Sequence, residues 1–245
     1  MFDIEQDYNL QIDKLRKLLK SSRNFDLAIE LALEIHAITH TSMASSKGSS
    51  TFFDNLLQDL TNEDYSVIPA AKDETIAWHL WHITRIEDLV SNILIAEQSQ
   101  IFNDEWMNKL NVPVKDTGNA MTGKQIIDFS EQVNKQELIN YRNAVGCRTR
   151  IMLKSLTFGD LKRKPNTEYL AQVVSEGGLL KSRDSIWLKD FWGKHTVAGL
   201  ILLPLTRHHM MHLPDCIAIK QFIRDRAFYK AHFQKGYKIF QNIIE

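Results

Sequence analysis

Three histidines stand within five positions near the end of the chain, in the segment LTRHHMMHLPD from Leu205 to Asp215. On a helix, His208 and His212 lie about 40° apart on one face, whereas His209 and His212 lie about 60° apart. The apolar stripe of the segment fits either pair, so the pattern assigns His212 and leaves its partner open. We favour His208, because a spacing of four is that of helical histidine pairs that bind metals.

A second histidine-bearing segment, TIAWHLWHITRIEDLV, lies in the centre of a long predicted helix. At 100° per residue, His82 falls within about 20° of Leu89 and Ile93, and His79 lies beside it at about 60°. His82 is therefore expected to face the interior of a helical bundle. A lone inward histidine is more often a buried, hydrogen-bonded residue than a ligand. Its coincidence with the histidine pair near the end of the chain raises the hypothesis of a three-histidine metal site.

The residue types indicate what such a site could do. Neutral imidazole nitrogens bind zinc, nickel, iron and copper. Three protein ligands would leave a position for water or substrate, as in catalytic rather than structural sites. His36 and His40 share the spacing of four, but we expect an ordinary helix there, with one ring inward and the other outward. Glu87 lies about 140° from His82 and is expected to be a surface or interhelical carboxylate.

The elements that would position these residues are helical. Strand-type alternation is scarce and helical periodicity dominates, which predicts an all-α protein forming a single domain over residues 1–245. Its bundle core would span about 24–224, with helical extensions on either side. The connections at 98–123 and 157–183 are long enough to include a crossover between bundle helices. The predicted helices are Ile4–Leu19, Phe25–Met43, Thr51–Leu60, Lys72–Ala96 with Asp73 as N-cap, about Lys124–Leu156, Asp184–Phe191, Thr196–Arg226, and a separate terminal helix docked on the body.

Pro214 falls inside the last bundle helix, two residues after His212. It cannot donate a hydrogen bond to the Met210 carbonyl, and it biases Leu213 away from helical dihedral angles. We therefore expect a kink just beyond His212, which would shift the position of that ring.

The overall charge disfavours some classes of partner. Lys and Arg number 30, as do Asp and Glu, so bulk electrostatics does not draw the protein to nucleic acid or an anionic membrane. The two cysteines, Cys147 and Cys216, show no CxxC spacing, which suits a reducing cytosol. The first residues do not resemble a signal peptide, and the most apolar run, Val197–Leu205, is about half the length that a bilayer requires. A soluble cytoplasmic protein is expected.

The two histidine segments resemble a known family. AWHLWHITRIED (Ala77–Asp88) and LTRHHMMHL (Leu205–Leu213) are similar to the two metal-binding segments of the DinB/YfiT-like metalloenzymes. WHLWH is also similar to the iron-binding helix of the related domain in ergothioneine-type sulfoxide synthases. The resemblance covers the main helices from about Asn24 to Arg224. It implies an up-down-down-up four-helix bundle of DinB/YfiT type with long crossover connections.

The resemblance also implies a set of ligands. Carried over residue by residue, it implies a divalent transition metal (zinc, nickel or iron) held by His82 from the second bundle helix and by His208 and His212 from the fourth. His79 and His209 would then be additional residues that support the ligands or face a substrate.

Characterised members of that family use low-molecular-weight thiols such as mycothiol, bacillithiol or glutathione. The resemblance thus implies a metal-dependent enzyme, a thiol transferase or hydrolase that activates a thiol or water for a small-molecule substrate, with a homodimer left open. One alternative is a non-catalytic metal-binding bundle that acts in stress response or as a binding module. Another is a purely structural helical protein whose histidines are satisfied in the core.

Overall fold

The computed structural model describes residues 4–45, 48–69 and 74–244, with side chains described between Asp7 and Phe228. Within these ranges the chain is helical and contains no strand, which confirms the all-α prediction. The α-helices are α1 (Ile4–Leu18), α2 (Phe25–Ile38), α3 (Ser42–Ser45), α4 (Phe52–Leu57), α5 (Ile76–Asp88), α6 (Asp104–Leu110), α7 (Gly123–Gln132), α8 (Lys135–Ser155), α9 (Thr167–Ser175), α10 (Arg183–Lys194), α11 (Val197–Leu202) and α12 (His208–Ile244).

Four of these helices form the bundle. α5 packs against α8 on one side and against α12 on the other. α2 packs against α8 and against the turn that leads into α12, which places α2 diagonally opposite α5. The bundle interior is therefore bounded by one face from each of α2, α5, α8 and α12.

Contacts between side chains set the helix directions. His79 contacts His212 while His82 contacts His208, so α5 and α12 run antiparallel. Arg150 of α8 donates to the carbonyl of Leu33 in α2 at 2.7 Å.

The other ends of the same helices complete the pattern. Thr41, just after α2, donates to Asn143 of α8 at 2.6 Å, so α2 and α8 are antiparallel. Arg142 donates to Thr84, and Arg148 donates to Gln98 beyond the end of α5, so α5 and α8 run parallel. These directions make the bundle up-down-down-up.

Parallel neighbours need a long crossover, and here it spans residues 96–134 with α6 and α7. The single predicted helix Lys124–Leu156 is wrong, because the structure divides it into α7 and α8. Val133 leaves the helical region with ψ 135°, and the Asn134 side chain then caps α8 by accepting from the Glu137 amide at 3.1 Å. The predicted connection at 157–183 contains α9 and a 3-10 turn at Asp160–Lys162, and α10 follows it.

The helix that carries His82 begins at Ile76, with Thr75 as its N-cap. The Thr75 hydroxyl accepts from the Trp78 amide at 3.0 Å. Asp73, the predicted cap, lies outside the described residues. The helix continues past Asp88 as a π-helical segment, Leu89–Ile95.

The last bundle helix is interrupted, but not at Pro214. α12 continues through Pro214 without a break, and the kink expected beyond His212 stays a prediction. The irregularity lies one turn before the histidines, where Pro204 stands in a π-helical turn, Leu203–Arg207. Thr206 donates its hydroxyl to the carbonyls of Ile201 and Leu202 at 2.8 and 3.0 Å. Pro204 has no backbone N–H to donate, and the wider π-helical turn accommodates this loss.

The terminal segment is also not a separate helix. α12 runs on to Ile244, since neither proline nor glycine occurs between Asp215 and Lys235 to stop it. Among the described residues, no helix combines the length and apolar character needed to cross a membrane.

Two apolar clusters form the core, and polar residues lie where they meet. One includes Ile86 of α5 and Leu205, the other Leu80 of α5 and Leu213 of α12. His82 of α5 and His208, His209 and His212 of α12 fall between these positions, so the bundle places these imidazoles at the junction of the clusters.

Candidate metal centre

The structure brings the three predicted histidines together. His208 is the first residue of α12, His212 follows one turn later, and His82 faces them from α5. Each of the three offers a ring nitrogen within 4.8 Å of those of the other two. The Nε2 atoms of His208 and His212 are 3.2 Å apart. The centroid of the His82 ring lies 5.1 Å from the ring centroid of His208 and 4.8 Å from that of His212. Two neutral imidazoles at such a distance share one proton or face one cation.

His82 is oriented by the crossover. Its Nδ1–H donates to the carbonyl of Thr117 at 2.8 Å, which leaves the Nε2 lone pair available to the cluster. Its ring stacks on Trp78 with centroids 4.7 Å apart and planes 7° from parallel.

The same loop of the crossover is held along α5 by a series of four side chains. Arg85, Trp81, His82 and Trp78 donate in turn to four consecutive carbonyls at distances of 2.8 to 3.1 Å; these belong to Lys115, Asp116, Thr117 and Gly118. Trp78 and Trp81 therefore fix the loop that orients His82.

His212 is oriented by His79. The Nδ1 atoms of these two residues are 3.0 Å apart. If His212 binds a metal through Nε2, its Nδ1–H donates to His79, which then accepts at Nδ1. His79 lies almost wholly buried beside the cluster and contacts His212 without belonging to the three-histidine group.

The electrostatics of the cluster favour uncharged rings. Burial and the proximity of His212 lower the pKa of His82 to about 3, although the bond to the Thr117 carbonyl acts in the opposite direction. Burial and the neighbouring histidines also hold the pKa of His208 well below its usual range. These two imidazoles are neutral at neutral pH, which is the form that binds metals.

The cluster is only partly enclosed. His82 is buried, whereas His208 and His212 are half-buried. A cavity of about 250 Å³ behind the crossover loop and one of about 410 Å³ beside α1 and α12 are not lined by the three histidines. A substrate would reach the cluster at the exposed edges of His208 and His212.

A second group of ionisable side chains lies deeper in the bundle. Glu87 contacts His36 Nε2 through Oε1 at 2.8 Å and His40 Nε2 through Oε2 at 2.9 Å, and all three residues are fully buried. The prediction that one of His36 and His40 points outward is wrong. The C-terminal end of α2 is covered on this face by α5 and α8, and the spacing of four puts both rings on it. Glu87, expected from the sequence to be a surface or an interhelical carboxylate, is interhelical.

His209 turns away from its neighbour in sequence and faces this second group. Its ring is fully buried, with Nε2 3.5 Å from Glu87 Oε2. Its Nδ1 lies 3.3 Å from an Arg142 nitrogen and 3.2 Å from the Thr39 hydroxyl. The three histidines in the first two turns of α12 are thus divided, two facing His82 and one facing Glu87.

The pKa values in the second group follow from burial and hydrogen bonding. Burial raises the pKa of Glu87, but the imidazoles of His40 and His36 outweigh this effect and hold it well below its usual range. Burial lowers the pKa of His40 to about 3, although Glu87 acts in the opposite direction. Glu87 is therefore ionised and His40 neutral at neutral pH.

Comparison with known proteins identifies the family. The model of the DinB superfamily matches residues 52–214, about two thirds of the chain. The chain belongs to the DinB superfamily. None of the curated proteins matches it. The DinB match confirms the family suggested by the two histidine segments, and it includes His82, His208 and His212.

Two residues of the second group lie outside the DinB match. His36 and His40 precede residue 52, so the first bundle helix brings them to Glu87 from a part of the chain that the family model does not cover. Two features of the sequence point to this group, namely the spacing of four between His36 and His40 and a glycine on α8. A Cβ atom on Gly146 would lie 2.5 Å from Cδ2 of His40, so this glycine provides the space for the ring. Both groups of this DinB protein could hold a metal ion.

Proposed function

We infer that this protein binds a divalent transition-metal ion through His82, His208 and His212 and is an enzyme that activates a low-molecular-weight thiol or water. The observation that carries this proposal is the convergence of three imidazoles from two helices, two of them partly exposed. Three protein ligands with an accessible edge are typical of catalytic sites. Membership in the DinB superfamily supports the metal-binding part of the proposal.

A metal at this position would lower the pKa of a bound thiol or water towards neutrality. The chain contributes positioning. The Thr117 carbonyl and the Trp78 ring hold His82, while His79 holds the far side of His212. The donor set consists of imidazole nitrogens alone, which suits zinc, nickel or iron.

The reaction we propose is a thiol transfer or a hydrolysis on a small-molecule substrate. We place the protein in the cytoplasm, where low-molecular-weight thiols are reduced and where its cysteines are not expected to pair. A nucleic-acid or membrane partner is not part of the proposal.

Elemental analysis of protein purified without a polyhistidine tag tests the site. We expect the double variant His208→Ala/His212→Ala to lose the metal that these residues hold. The matched control is His195→Ala, because His195 bonds to its own helix through the Phe191 carbonyl and belongs to neither group. If the double variant retains as much zinc, nickel and iron as the wild type, the proposal is wrong.

A panel of thiols and electrophiles tests catalysis. We expect a rate that requires metal and is lost in the double variant but kept in His195→Ala. Metal binding without any rate would instead favour the non-catalytic metal-binding bundle.

A further inference from the structure

The buried group around Glu87 raises a question of proton placement. The Nδ1 atom of His40 lies 2.9 Å from the carbonyl oxygen of His36, which can only accept. Its Nε2 atom lies 2.9 Å from Glu87 Oε2, which as a carboxylate also only accepts. A neutral imidazole has one N–H, so one of these contacts sets a lone pair against an oxygen. A cation between His40 and Glu87 removes this repulsion.

Glu87 has no cationic side chain bonded to it. Among the described residues, its oxygens contact only imidazole nitrogens, those of His36, His40 and His209. Arg142 lies beyond the His209 ring and donates to the Thr39 carbonyl and the Thr84 hydroxyl instead. A fully buried carboxylate is costly unless it is paired with a cation or binds a metal.

The arrangement matches the orientation of His82. In both groups the Nδ1 atom of an imidazole lies close to a backbone carbonyl oxygen, at 2.8 Å for His82 and 2.9 Å for His40, and the Nε2 atom faces other ligating atoms. An outer hydrogen bond of this kind is usual for histidines that bind metals. A histidine pair with one carboxylate is a common donor set for first-row transition metals.

We propose that His36, His40 and Glu87 form a second, structural binding site for a divalent transition-metal ion such as zinc. All three side chains are fully buried, so this site offers no position to a substrate, unlike the three-histidine site. Its effect is to fasten the C-terminal end of α2 to the middle of α5. Because the positive charge of Arg142 lies in the same buried region, we expect this ion to bind more weakly than the one at His82.

Metal stoichiometry of the full-length, untagged chain tests the site. Protein is saturated with Zn²⁺, desalted and measured by mass spectrometry for zinc per chain. We expect two equivalents in the wild type, and one in each of His40→Gln and Glu87→Gln. His195→Gln, the control, keeps both, and circular dichroism establishes that each variant is folded.

The results separate this proposal from that of the three-histidine site. If His40→Gln and Glu87→Gln are folded and bind as much zinc as the wild type, the second site is wrong. If these variants lose one equivalent while His208→Ala/His212→Ala loses none, the second site stands and the first fails. Should either buried variant fail to fold, His208→Ala/His212→Ala decides by itself, because one equivalent in that variant supports the second site and none overturns it.

Thermal unfolding gives an independent readout. Removing zinc from the second site releases α2, so a chelator should lower the Tm of His208→Ala/His212→Ala, in which the second site is the only one of the two remaining. No change in the Tm of that variant on chelation contradicts a structural ion.

Discussion

Trp78 donates its indole N–H to the carbonyl of Gly118 at 3.1 Å while its ring stacks on His82. One side chain thus links the crossover loop to the ring that we propose as the first metal ligand. The linkage makes the conformation of residues 115–118 part of the metal site, although none of these residues is a proposed ligand.

Gly118→Ala is expected to weaken zinc binding. Gly118 has φ +78°, which alanine adopts poorly, and its Cβ would lie 2.9 Å from Nε1 of Trp78. The loop must move, and the support of His82 moves with it. We expect roughly 10- to 100-fold lower affinity, as is usual when an outer partner of a ligand is lost, measured by competition with a chelating dye. Gly159→Ala is the control, since a Cβ atom there would meet only the Thr157 hydroxyl oxygen, at 3.6 Å. Equal affinity in both variants would contradict the role of the loop.

His79→Phe is expected to weaken zinc binding at the same site. Phenylalanine keeps a ring beside His212 but removes the nitrogen that lies 3.0 Å from His212 Nδ1. His212 then loses the contact that fixes its tautomer and orientation. We expect the affinity for zinc to fall by about 10-fold or more. The same titration measures it, with His195→Phe as control. Unchanged affinity would show that His79 does not support the ligand.

Gly146→Ala tests the packing of the second group. The added methyl carbon would lie 2.5 Å from His40 Cδ2 and 3.1 Å from its Nε2, so the ring must leave its position beside Glu87. Overpacking of this kind costs about 1–3 kcal/mol of unfolding free energy, measured by urea denaturation. Gly123→Ala, where nothing lies within 4 Å of the new Cβ, should change stability little. Equal stability of the two variants would contradict the described position of His40.

The metal-free protein should lose stability as the pH falls from 7 to 5. The pKa of His40 and that of His82 are each lowered from 6.5 to about 3 in the folded state. Unfolded chains therefore bind more protons between these values, so protonation favours unfolding. Each of the two histidines should cost about 2 kcal/mol over this interval.

Glu87 adds to the loss at lower pH. Its pKa is lowered in the folded state, so the stability it contributes is present above about pH 4.5 and disappears as the pH falls below that value. Urea unfolding of chelator-treated protein at several pH values measures both effects, and His40→Gln should flatten the profile between pH 7 and 5. A profile that is level over this range would contradict the buried, neutral state of these rings.

Local periodicity predicted much of the three-histidine group. The spacing of His208 and His212 puts both on one face of any helix, and the apolar arc around His82 determines that this residue faces inward. The helical pattern left the choice between His208 and His209 open, because the π-helical turn before His208 changes the phase of the helix relative to the upstream stripe.

The second group depends on tertiary packing that no local pattern contains. His36, His40 and Glu87 meet because α2 lies against α8, and Gly146 provides the space for His40 there. The effect of Pro214 also depends on tertiary packing, and α12 continues through this residue. A proline removes one hydrogen bond wherever it stands, but the surrounding packing decides whether the helix bends or accommodates it.

The most direct test of the three-histidine site is a crystal structure with diffraction data recorded at the absorption edge of the bound metal. We predict an anomalous peak between α5 and α12, about 2.0–2.1 Å from a ring nitrogen of each of His82, His208 and His212. Protein that contains zinc, nickel or iron but shows no peak among these three nitrogens would contradict the account.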